Sequence, residues 1–169
     1  MKTPPARPTS PLHIDLRIES PLWGGQPLAE KTVRNSVLAA TAALSTAGGE
    51  VSIVLTDDSA IRSLNRNWRG IDKPTNVLSF PASGPDTGEG ARLLGDIVIA
   101  FETLERESAD EHRNFLHHLA HLAVHGFLHL NGYDHQTDTQ AEAMEGLESK
   151  IMMHLNMPDP YRAHDHGNV

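Results

Sequence analysis

The chain reads as a single α/β domain, with a small, mixed, mostly parallel sheet packed against helices, one of them a long helix rich in metal-ligating side chains. Three patterns predict this. Leu12, Ile14, Leu16 and Ile18 alternate with polar residues, the period of a half-buried strand. Val33, Val37, Ala40 and Leu44 then recur at steps of four, three and four, the period of an amphipathic helix. Val51 to Leu55 follows as a short, partly β-branched apolar run, so strand, helix and strand succeed one another as in a right-handed parallel crossover. With 169 residues the chain is long enough to bury one substantial core.

The remaining elements follow in order. Gly48-Gly49 is expected to stop the first helix. Thr56-Asp57-Asp58 offers capping oxygens to a second helix, which runs to about Trp68 with Gly70 as its stop and Ile61, Leu64 and Trp68 as its apolar stripe. Asn76 to Phe80 reads as a short strand, and an edge position there would let it guide an extended ligand. Pro81 to Gly90 reads as a Pro/Gly/Ser-rich mobile loop. Leu93 to Ala100 reads as another strand, and Phe101 to about Glu107 as a short helix. Ser108 to Glu111 has the spacing of a capping box before the long helix, and Thr139 to Glu142 has it before the last one. Ala143, Leu147, Ile151 and Leu155 form the stripe of that last helix, with Met144 read as a core residue. Residues 1–10 are expected to be a flexible start, 11–156 the folded domain and 157–169 a flexible tail.

Composition excludes several classes. There are no cysteines, so disulfides and thiolate metal sites are ruled out. No run approaches the ~20 apolar residues of a membrane helix, and the start lacks the apolar core of a signal peptide. A cytoplasmic protein with no membrane partner is therefore expected. A net charge of −8 argues against a general nucleic-acid coat but leaves room for a local basic groove.

Eleven histidines is a high number for this length, and seven of them lie between His112 and His135. His117, His121, His125 and His129 are spaced by four, so neighbours share a helix face. Successive steps of four drift by about 40° on an ideal helix, so all four cannot address one ion. The last pair adjoins Gly132, a residue suited to turning the chain back, which brings His135 within reach. His125, His129 and His135 are therefore the preferred metal ligands. Three imidazoles leave a coordination position open, as in catalytic rather than structural sites. His121 is expected behind the ligands or in the pocket, Asp134 orienting a histidine or touching substrate, and His117 and His118 at the surface or in packing. Position 126 is glycine, whereas zinc peptidases with H-E-x-x-H carry their general base there.

The stretch 125–135, H-G-F-L-H-L-N-G-Y-D-H, closely resembles the signature of the YbeY family of bacterial endoribonucleases, also called rRNA maturation factors. Residues 69–81, R-G-I-D-K-P-T-N-V-L-S-F-P, and 94–99, L-G-D-I-V-I, resemble two further blocks of that family in the family's order. The resemblance spans roughly Ile14 to Leu155. It implies one metal ion per chain, usually zinc, on His125, His129 and His135. It implies metal-dependent cleavage of single-stranded RNA, maturation of small-subunit rRNA at its 3′ end, and ribosome quality control. It also implies the ribosomal small subunit and assembly factors as partners. The family's functional arginine falls on Arg69.

Phosphodiester cleavage needs positive charge where the transition state gathers negative charge. Arg69 suits this, because its planar fork can hold two phosphate oxygens. Arg69 and His125 are thus the catalytic candidates, and Arg69 and Lys73 the substrate-binding ones. Arg62 and Arg66 read as a solvated helix face, and Asp96 as a structural aspartate. The residues leave open whether water or the substrate's 2′-hydroxyl is the nucleophile. They also leave open the metal, since nickel and other divalent ions suit imidazoles as zinc does. Two rival functions remain at this level: a zinc hydrolase of another substrate class, and a non-catalytic ribosome assembly factor stabilised by its metal.

Overall fold

The computed structural model describes residues 11–45, 48–83 and 92–162. The Pro81–Gly90 loop falls largely outside them, as do residues 1–10 and 163–169. Four strands form one sheet: β1 (His13–Ile18), β2 (Glu50–Thr56), β3 (Val77–Pro81) and β4 (Leu93–Ala100), in the order β1-β2-β4-β3. β1, β2 and β4 run parallel, and β3 runs antiparallel to β4 on the outer edge. The helices are α1 (Ala29–Leu44), α2 (Asp58–Arg69), α3 (Phe101–Asp110), α4 (Phe115–Leu130) and α5 (Asp138–His154).

The two faces of the sheet bury different residue sets, as the period of two requires. Val51, Ile53, Leu55, Ile97 and Ile99 face the main core, which they share with residues of α1, α4 and α5. Val54, Leu78, Phe80 and Val98 face the other way and meet Ile61 and Leu64 of α2 in a smaller cluster. α4 therefore lies on one side of the sheet and α2 on the other, with edge strand β3 between them.

Several helix ends differ from the sequence reading. α1 is closed by Ser45 in the left-handed region (φ 51°), before the Gly48-Gly49 pair is reached. Ser108 sits inside α3, where its hydroxyl donates back to the Leu104 carbonyl at 2.8 Å, so it caps nothing. Asn114 caps α4, its Oδ1 accepting from the N–H groups of Leu116 and His117. The capping box of α5 is formed by Thr137 and Gln140, not by Thr139 and Glu142. The stripe of α5 is turned accordingly: Met144, Glu148, Ile151 and Met152 are buried, while Ala143 is exposed. Asp57 caps α2 and Gly70 ends it, as expected.

Candidate metal centre and substrate cleft

α4 sits unusually close to the sheet at Gly126. A Cβ there would stand 3.0 Å from both Ile97 Cγ2 and Ser79 Oγ, and the Ser79 hydroxyl donates to the Gly126 carbonyl at 3.1 Å. Any side chain at position 126, the carboxylate of a zinc peptidase included, would press on Ile97 and Ser79. The same close contact sets His125 and His129, one residue before and three after, beside edge strand β3.

Past Leu130 the chain turns sharply. Gly132 takes φ 92°, a conformation that side chains with a Cβ rarely adopt. Its N–H and that of Tyr133 bond back to the carbonyls of His129 and Leu128. This turn returns His135 to the helix end. The ligating atoms of His125, His129 and His135 then all lie within 4.8 Å of one another. The Nε2 atoms of His125 and His129 are 3.1 Å apart. Two nitrogens sharing a tetrahedral ion at about 2.0–2.1 Å would stand roughly 3.3 Å apart. The donor set suits one divalent cation, with His125 and His129 already at that spacing and His135 close by. Among the described residues the group has three members, so a bound ion would keep positions for water or substrate. Burial, then repulsion from His125 and His135 when those rings are protonated, lowers the His129 imidazole pKa from its ordinary value, which favours the neutral form that can ligate.

Behind the triad stands Glu148 of α5, fully buried. One carboxylate oxygen contacts His125 Nδ1 at 2.8 Å and the other contacts His121 Nε2 at 2.6 Å. The Tyr161 hydroxyl donates to it as well. Burial alone would raise this carboxyl, but the bonds from His121, His125 and Tyr161 outweigh it and hold the pKa at about 2. An ionised carboxylate only accepts hydrogen bonds, so His125 carries its proton on Nδ1 and presents the Nε2 lone pair to the triad. Burial, and then the Glu148 carboxylate it bonds, push the Tyr161 pKa up, so it stays a donor. A parallel link lies further along α4, where His118, buried, contacts Glu107 at 3.0 Å and Asn76 donates to the same carboxylate at 2.9 Å.

A cleft of about 980 Å3 opens in front of these groups. Because β3 is an edge, both faces of the sheet reach it: Val77 and Ser79 from the side of α4, Leu78 and Phe80 from the side of α2. Arg69, the last residue of α2, lines this cleft together with the histidine triad, and so do His121 and Asp134. Lys73 does not line it; the chain there serves α2 instead, its carbonyl accepting from Asn65 at 2.9 Å. Asp134 Oδ1 accepts the backbone N–H of His135 at 2.8 Å, so it shapes the turn rather than holding an imidazole ring. Asp96 lies within β4, exposed and outside the cleft lining.

The sequence reading missed Glu148 and Tyr161. A signal for Glu148 was present: it stands four residues from both Met144 and Met152, a carboxylate in the middle of an apolar stripe. Tyr161 had no comparable signal. It falls in the stretch read as a flexible tail, yet Met157 packs against the core and Pro160 is buried.

An α/β domain with three imidazoles converging beside an arginine-lined cleft defines a class: proteins that place a divalent ion next to an anionic substrate. Residues 26–156 match the sequence profile of the family described as Endoribonuclease YbeY, and the chain belongs to that family. An Endoribonuclease YbeY from Bradyrhizobium sp. is 52% identical over 161 residues, covering 91% of this chain and 95% of that relative. One from Nitrobacter hamburgensis is 54% identical over 145 residues, covering 82% of this chain and 76% of the relative. The fold resembles the solution structure of a protein from Thermotoga maritima, with a TM-score of 0.55 and 24% identity over 92% of this chain and 99% of that one. Among the described residues no helix is long and apolar enough to cross a membrane.

Proposed function

We propose that this chain is a metal-dependent endoribonuclease that cuts single-stranded RNA in the cleft between α4 and the β3 edge. We assign it to maturation of small-subunit rRNA, especially the 3′ end, and to ribosome quality control in the cytoplasm, with the small subunit and its assembly factors as partners. The relatives' name and family membership support the activity. The observation that carries it for this chain is the convergence of His125, His129 and His135 in one cleft with Arg69.

The three imidazoles would hold the ion, with zinc the proposed metal and nickel a competitor for the same nitrogen donors. Such an ion supplies a Lewis acid and an activated water. The chain's own groups do the rest. Glu148 holds the proton on His125 Nδ1 and keeps that ring turned toward the site. Arg69 makes no ion pair among the described residues, so its fork is available to two non-bridging oxygens of the scissile phosphate. Lys73, exposed beyond the cleft, would meet the RNA backbone only outside the cleavage position. Peptide hydrolysis is disfavoured by Gly126, which supplies no general base and whose site is crowded by Ile97 and Ser79.

Metal analysis and RNA cleavage on one purified sample test this reading. Single-stranded RNA should be cut, chelator should abolish cutting, and added zinc should restore it, while casein stays intact. Metal-loaded protein that leaves single-stranded RNA whole would sink the proposal.

A further inference from the structure

The apolar stripe of α2 runs out of core before it ends. Ile61 is fully buried and Leu64 half-buried, but Trp68, at the next position of the same stripe, is 72% exposed. The cause is geometric. β3 is the edge strand, and the end of α2 reaches it, so the described ring partner of the indole is Phe80, with ring centres 6.0 Å apart and planes tilted by 56°. The other tryptophan, Trp23, is 2% exposed and donates its Nε1–H to the Thr56 carbonyl at 2.9 Å. The chain can thus bury an indole and satisfy it, and at position 68 it leaves one in water.

That indole lines the same cleft as the histidine triad and is followed directly by Arg69. Two cations stand close to it in sequence. Arg66 and Arg69 occupy the last turn of α2 and form no ion pair among the described residues. Arg62, by contrast, is held by Asp72 through two bonds of 2.8 and 3.2 Å, which takes its charge out of competition. An open aromatic ring next to a guanidinium in one cleft is the arrangement that grips a planar base joined to a phosphate. A protein or lipid partner would call for a wider apolar patch. Here the described neighbour is one ring, Phe80, whose cross-strand partner is the exposed Asp96.

We propose that Trp68 is a stacking platform for one unpaired nucleobase, seating the nucleotide whose phosphate Arg69 grips. This rests on the nuclease reading above and adds a binding position to it. Stacking accepts every base, so the position selects unpaired over paired RNA without selecting sequence.

The test uses the full-length, zinc-loaded protein and a short 2′-O-methylated single-stranded RNA that cannot be cut through its 2′-hydroxyls. Because Trp23 is buried, quenching of tryptophan emission on RNA binding reports Trp68, and Trp68→Phe supplies the Trp23 background. Trp68→Ala should weaken binding roughly ten-fold, Trp68→Phe should retain most of the affinity, and both should keep a full complement of zinc. Blunt duplex RNA of the same sequence should quench little. Unquenched emission when wild-type protein binds the RNA, unchanged affinity in Trp68→Ala measured by filter binding, or equal quenching by the duplex would each overturn the platform. If those samples still cut ordinary single-stranded RNA, the nuclease reading survives that loss. If wild-type protein neither binds nor cuts RNA, both fall together.

Discussion

On the α4 side of the cleft the imidazoles are held from behind: His121 and His125 share the carboxylate of Glu148, and His118 is tied to Glu107. On the α2–β3 side, Trp68 and Arg69 reach into the same cleft exposed, with no ion pair on the arginine among the described residues. The difference matches the two tasks proposed for these sides. A metal ion accepts ligand distances within about 0.2 Å, so its nitrogens must be set before it arrives. An RNA strand arrives in many conformations, and long exposed side chains can follow it, losing their freedom only on binding.

The most severe way to break the contrast is His129→Ala. It should abolish tight metal binding and RNA cleavage together, read by metal analysis and turnover on one sample. Arg69→Ala should spare the metal and reduce cleavage by about 10²–10³-fold, the effect of losing one group that stabilises developing charge. Full turnover in a folded Arg69→Ala protein would remove Arg69 from the chemistry.

Glu148→Gln asks whether the pre-set side depends on its carboxylate. Loss of a group that orients a ligating histidine should weaken metal affinity by about 10–100-fold, measured by competition with a chromophoric chelator. The same residue gives a pH signature in metal-free protein. Its folded pKa of about 2 lies below the ordinary 4.5. Its stabilising contribution, on the order of 3 kcal/mol, is therefore present above about pH 4.5 and lost as pH falls toward 2. Denaturant midpoints measured across that range should fall in wild type and fall less in Glu148→Gln.

Tyr161→Phe should be mildest. It removes one of three donors to a carboxylate that keeps the other two, so about 1.5–3 kcal/mol of stability should go while metal content is retained. A large loss of metal in Tyr161→Phe would mean that the C-terminal segment, rather than α4 and α5 alone, sets the triad.

Much of the site was legible because its signals are local. Steps of four along a helix and a glycine turn need only neighbouring residues to interpret, so His125, His129 and His135 could be grouped before any fold was known. The helix ends were less legible for a related reason. Ser108, Asn114, Thr137 and Thr139 can all serve as caps, and the choice among them depends on where packing lets the chain turn. Ser108 is held within α3 because the core accepts another turn of helix there, with Leu104 fully buried.

Sequence alone determined the strand and helix order, the histidine triad and the absence of a peptidase base at position 126. Those properties follow from periodicity and residue type, which act over one or two turns. Tertiary structure alone decided that Glu148 and Tyr161, 23 and 36 residues beyond His125, meet behind that ring. It alone decided that Lys73 stays outside the cleft and that Trp68 overhangs the sheet edge. These depend on which helix covers which face of the sheet and on where the last strand stops. That is a matter of packing between distant segments, and no short window of sequence encodes it.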